Sequence, residues 1–146
     1  MDGTNSFWLV KSEPSKYAFS DLVREGKATW DGVRNAQAAI YLRAMRRGDL
    51  VFYYHSREEL AVVGVAVVTQ EHFQDPTDET GRFVAVGLSP KESLKHPVTL
   101  RAMRENPALS DMVIFRQFRL SVTPVTADEW RVIIKMSERD PAKWAT

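Results

Sequence analysis

The run Ala61-Val62-Val63-Gly64-Val65-Ala66-Val67-Val68-Thr69 constrains the fold of this chain more than any other segment. Its β-branched residues favour extended backbone. It is also apolar on both faces, so it is expected as a central strand of a closed or covered sheet. Other strands are expected at Phe7 to Lys11, ended by Glu13-Pro14, and at Leu50 to His55, where side chains alternate between two faces. Arg82 to Leu88 and Phe118 to Val122 complete a set of at least five.

Helices are expected between them. Ser20 caps one that runs through Glu25 and stops at Gly26, and Asn35 caps a second from Ala36 to Arg47, stopping at Gly48. Thr99 opens a third, through Glu105, before Asn106-Pro107 breaks it. Thr126 with Glu129 forms a capping box ahead of Trp130, Ile133 and Ile134. The polar stretch Asp75-Pro76-Thr77-Asp78-Glu79-Thr80-Gly81 is a loop. Short strands interleaved with helices give an α+β domain with a small mixed barrel.

Composition bounds what such a domain does. A length of 146 residues fits one domain, and 44% apolar with 27% charged residues is ordinary globular usage. With no Cys, thiol nucleophiles and Cys-based zinc sites are excluded, and an intracellular, cytoplasmic location is favoured. No signal-peptide pattern opens the chain, and its longest apolar run is far below the ~20 residues of a membrane span. A net charge of +1 gives no global attraction to nucleic acid, so any such binding is local. Arginines cluster at 34, 43, 46 and 47 and again at 101, 104, 116 and 119.

Catalytic and cofactor patterns are missing. His55, His72 and His96 lack metal-site spacing, and there is no phosphate loop, dinucleotide fingerprint or nucleophile elbow. Glu13, Asp31 and Asp49 stand beside turns, where carboxylates are usually caps. No cofactor and no metal are expected. What remains is a group of strand-end and loop residues. Lys11, Ser12 and Glu13 leave the first strand, and Trp30-Asp31-Gly32-Val33-Arg34-Asn35 leads into a helix start that favours anions. Tyr53, Tyr54, His55 and Ser56 close another strand. Together they offer an aromatic face, hydrogen-bonding groups and a cationic rim, suited to a planar polar ligand such as a nucleobase.

Four segments in order carry a resemblance. Trp8-Leu9-Val10-Lys11-Ser12-Glu13-Pro14, the Trp30-to-Asn35 segment, Phe52-Tyr53-Tyr54-His55-Ser56, and Arg119-Leu120-Ser121-Val122 with Pro124-Val125-Thr126 are similar to the motifs of the EVE domain. The resemblance runs from about Phe7 to Met136. It implies a PUA-like mixed β-barrel with peripheral helices, related to the YTH and ASCH domains, over residues 5–138, with residues 1–4 and 139–146 as flexible termini. It also implies a non-catalytic reader of a modified nucleobase: modified cytosine in DNA for eukaryotic members, methylated adenine in RNA for the YTH relatives. Arg119, Leu120 and Ser121 join the pocket on this basis. Two positions depart from the pattern: Ala36 stands where many members have an aromatic residue, and Arg57 where Asn often follows the Tyr-His-Ser triplet.

The expected mechanism stacks one extruded or unpaired base on Trp30. Ser12, Asn35 or backbone groups meet the base edge, and Lys11 or Arg34 meets a phosphate. The expected partner is DNA or RNA carrying a modified base, with no membrane, and the chain is taken as a monomer. Two other classes stay open. One is an enzyme acting on a modified nucleoside or small molecule through Glu13 or Asp31 with His55. The other is a protein-interaction module in which Trp30 is only core.

Overall fold

A computed structural model of the chain describes residues 6–57 and 59–138. The expected terminal segments 1–4 and 139–146 lie outside the described residues. The elements are β1 (Phe7–Ser12), α1 (Pro14–Tyr17), α2 (Phe19–Glu25), β2 (Ala28–Trp30), α3 (Ala36–Ala44), β3 (Leu50–His55), β4 (Ala61–Gln74) and β5 (Val84–Thr99). They continue with α4 (Leu100–Glu105), a 3₁₀ turn (Pro107–Leu109), α5 (Val113–Arg116), β6 (Val122–Val125) and α6 (Ala127–Ser137). The strands form one mixed sheet in the order β2-β5-β4-β3-β1-β6. Among the described residues only β1 and β3 run parallel, with Lys11 opposite Tyr54 and Ser12 opposite His55. The α+β class with a mixed sheet expected from sequence is the one found. Its barrel is an open one, since no ladder among the described residues joins β2 to β6.

Both faces of the sheet are covered, as the two-sided apolar run of β4 requires. Trp8, Val10, Val51, Tyr53, Ala66 and Val68 pack with Phe19, Leu22, Ala38 and Leu42 of α2 and α3. Leu9, Phe52, Tyr54, Val62 and Val65 pack with Met103, Ile114, Trp130 and Ile133 on the helices of the other face. Trp130 fixes α6 there by stacking on Phe52, with centroids 3.7 Å apart, and on Phe7 at 4.8 Å. Among the described residues no helix is long and apolar enough to cross a membrane.

Three caps form as the sequence predicts. Asn35 accepts from Ala38 N at 3.0 Å, Thr99 from Ala102 N at 3.1 Å, and Thr126 and Glu129 form their reciprocal box. Elsewhere the elements shift. Helix α2 starts at Phe19, because Asp21 reaches back to accept from Ala18 N at 2.8 Å, so Ala18 and not Ser20 is the cap. Helix α3 stops at Ala44, not Arg47. Extended backbone at Met45 turns that side chain into the core, and Arg46 N donates to buried Asp49 at 2.9 Å. Strands β4 and β5 outrun their expected ends and form one long hairpin with several register shifts. Phe118 to Ser121 is not strand, and β6 begins only at Val122.

Candidate functional site

A cavity of about 1080 Å³ opens at the C-terminal ends of β1 and β3. Residues from both ends of the sheet line it: Ala28, Thr29 and Trp30 from β2, and Arg119 and Ser121 from the approach to β6. Its size lies just above the ~300–1,000 Å³ usual for ligand pockets, enough for more than a free base.

The Trp30-to-Asn35 segment forms one wall and is tied down along its length. Trp30 pairs with Val86 of β5. Gly32 takes a positive φ of 80°, which a side chain would strain, and aims its N–H at Asp75 Oδ2, 2.8 Å away. Arg34 donates to the same oxygen at 3.0 Å and to Thr77 Oγ1 at 2.9 Å, while Val33 is buried and Asn35 caps α3. The Asp75 carboxylate is fully buried. Burial pushes its pKa up, but hydrogen bonds from Thr77, Gly32 and Arg34 outweigh that and hold it well below the usual carboxylate range.

Trp30 is half-buried, and two rings hold it edge-to-face: Tyr53 at 5.4 Å and Tyr17 at 6.4 Å. Behind it, Ser12 Oγ and Tyr53 OH both donate to the carbonyl of Tyr17, at 2.7 and 2.8 Å. Tyr17 in turn donates to Glu25 at 2.7 Å. These bonds fix α1 against the strand ends and so place Tyr17 as a second aromatic wall.

Charge is asymmetric. Lys11, Lys16, Lys27, Arg34, Arg57 and Arg119 line the cavity against Glu13, Glu25 and Asp31. Glu13 is shared by Lys16 at 3.9 Å and Arg57 at 3.5 Å. The site is therefore locally positive although the chain is nearly neutral.

The structure sorts the expected site residues into two groups. Around the cavity stand Lys11, Ser12 and Glu13 from β1 and its end, and Trp30, Gly32, Val33, Arg34 and Asn35 from the loop. Tyr54 and Ser56 join them from the end of β3, with Arg119 and Ser121. Tyr53, His55 and Leu120 are buried and do not line it. His55 Nε2 accepts from Phe19 N at 3.1 Å, which occupies the lone pair a general base would use. Of Glu13, Asp31 and His55, only the two carboxylates line the cavity. Tyr17, Lys27, Leu60 and Phe118 are walls that sequence reading missed. Of these only the aromatic character of Tyr17 and Phe118 was a signal, and nothing local distinguished it from core.

An α+β chain with an open mixed barrel and an aromatic, cation-rimmed cavity at one end is a domain of the PUA-like class. It belongs to the EVE domain family, which it matches over residues 6–136. The solved structure of Rpa0253 from Rhodopseudomonas palustris is 47% identical, with a TM-score of 0.87 over 91% of this chain and 93% of that one. Thymocyte nuclear protein 1 of Homo sapiens is 28% identical, covering 94% of this chain and 76% of the human protein. The structure of human THYN1 protein in complex with 5-methylcytosine-containing DNA is also 28% identical, with a TM-score of 0.87 over 94% of this chain and 100% of that one.

Proposed function

We propose that the protein is a non-catalytic module that binds one modified nucleobase, with 5-methylcytosine in DNA as its first candidate ligand. The observation that carries this is Trp30, half-buried between Tyr17 and Tyr53 and lining a cavity with an excess of cations. The relative bound to 5-methylcytosine-containing DNA supports the choice of base.

The energetics set what the site has to do. Taking a base out of a duplex costs a few kcal/mol, less where it is already unpaired. Stacking on Trp30 returns ~1–3 kcal/mol. A single methyl group adds only about 0.8 kcal/mol of burial, roughly fourfold in affinity. Strong discrimination then rests on a dry, tight contact around the methyl, and on edge hydrogen bonds from groups such as the Asn35 amide. Asn35 Oδ1 is held by Ala38 N, so its NH2 is the end left to donate.

The test titrates oligonucleotides with and without 5-methylcytosine, single-stranded and duplex, against the wild type and Trp30→Ala. Preference for the methylated base, lost in a folded Trp30→Ala, is the expected result. Equal and weak affinity for every oligonucleotide, unchanged by the substitution, overturns the reading. Unfolding of Trp30→Ala, with no nucleotide raising the melting temperature of the wild type, favours an interaction module with a core tryptophan instead.

A further inference from the structure

The cavity reaches both faces of the β1–β3 ladder. Side chains of Trp8, Val10 and Ser12 lie on the face of Tyr53 and Trp30, whereas Leu9 and Lys11 lie on the face of Phe52 and Tyr54. We propose that the Lys11 face is an anion subsite: the Lys11 ammonium, with Arg119 beside the same cavity, receives a phosphodiester of the strand whose modified base occupies the Trp30 face. This rests on the base-binding reading and adds to it where the backbone sits and which cation holds it.

These observations carry the assignment. Lys11 is partly buried and forms no ion pair, so its charge is uncompensated by any described carboxylate. Its Nζ spends one donor on the carbonyl of Phe118 and lies 3.9 Å from the centroid of the Phe118 ring and 5.8 Å from that of Tyr54. An ammonium has three donors, so two are left for a ligand. The neighbouring Tyr54 is wholly buried, lines the cavity, and has a hydroxyl with no hydrogen-bond partner among the described residues. A partly buried cation without a counter-ion, beside a buried hydroxyl without a partner, leaves both groups short of the interactions water would give them.

Glu13, on the same cavity, is paired with Lys16 and Arg57, and two arginines stand by Phe118. Arg104 of α4 lies over the Phe118 ring at 5.7 Å, and Arg119 forms no ion pair among the described residues. Arg34, the other candidate for a phosphate, is already bound to buried Asp75 and Thr77. Burial lowers the pKa of Lys11 to about 8, in keeping with a site that lacks an anion of its own.

The experiment uses a short single-stranded oligonucleotide with one 5-methylcytosine, its unmethylated counterpart, and a version whose linkages beside that base are neutral methylphosphonates. Wild type is expected to bind the phosphodiester at least tenfold more tightly than the methylphosphonate. Lys11→Met, which keeps the apolar stem, is expected to bind both equally, with its melting temperature intact and its preference for the methylated base retained. Lys11→Arg is expected to restore the charge discrimination. If Lys11→Met keeps the full phosphodiester preference, the anion subsite falls and the base reading stands. If wild type discriminates charge but not methylation, the base reading falls. If wild type binds none of the three, both fall.

Discussion

Asp75 Oδ2 accepts the backbone N–H of Gly32 across forty-three residues of sequence, at 2.8 Å. The loop after β4 thereby holds the loop after β2, and Arg34 clasps the same oxygen from the other side. Asp75 is a positioning residue: it holds the Trp30-to-Asn35 wall from behind and does not itself line the cavity. Replacing it with Asn keeps the shape but removes the charge and one acceptor, at a cost of ~1–3 kcal/mol. The expected result is a lower melting temperature together with weaker binding of the methylated oligonucleotide.

The same carboxylate predicts an acid limb. Its folded pKa is depressed below the ordinary value of 3.8, so its stabilisation is fully present above pH 3.8 and is lost as pH falls below it. Asp78 contributes in the same direction, its pKa lowered to about 2, chiefly by the Thr80 hydroxyl. Denaturant titrations between about pH 2 and 5 are expected to show a shallower loss of stability in Asp75→Asn than in wild type. Parallel curves overturn the assignment.

Lys11 predicts opposite pH signatures for folding and binding. Its folded pKa is lowered from 10.5 to about 8, so between those values the unfolded chain holds more protons and stability rises with pH. An anionic ligand needs the ammonium, so affinity is expected to fall as pH passes about 8, with net proton uptake on binding just above it. Calorimetry in buffers of different ionisation heat reads the uptake. Lys11→Met flattens both trends, whereas loss of a merely structural lysine flattens only the first.

Gly64 predicts a packing effect that transmits to the site. A Cβ placed there would sit 2.5 Å from the Phe19 ring, and Phe19 packs on Tyr53, which backs Trp30. Gly64→Ala therefore has to move Phe19, with an expected destabilisation of ~1–3 kcal/mol. It also loosens the Trp30 wall, so the preference for the methylated base is expected to shrink. Thermal unfolding and oligonucleotide titration of the same variant check both.

How much of this was legible depended on whether the signal was local. The caps at Asn35, Thr99 and Thr126 were readable because one side chain bonds a backbone N–H three residues on. The far half of β5 was not, because Pro90, Pro97 and the charges between them resemble a loop. Among the described residues that half pairs only with β4, and β2 pairs with β5 only as far as Leu88, so the other edge is free to carry proline. Alternation along β3 separated Tyr53 from Tyr54, but both faces are buried, so it could not tell which tyrosine meets the cavity. Asp75 was placed in a polar loop, and its role as anchor needed the fold to bring it to Gly32.

Arg57 is the one non-glycine residue at positive φ among the described residues, at 79°, and it lines the cavity mouth at the end of β3. Left-handed backbone costs an L-residue ~1–2 kcal/mol, and Gly or Asn much less. Its ion pair with Glu13, at 3.5 Å and with the arginine side chain 73% exposed, returns little in water. Arg57→Gly is therefore expected to stabilise the fold by about 1 kcal/mol. The substitution also removes a rim cation, so the salt dependence of oligonucleotide binding is expected to become shallower by about one counter-ion. A higher melting temperature with an unchanged salt slope would assign Arg57 to the turn alone, whereas a lower melting temperature would mean that the Glu13 contact outweighs the backbone strain.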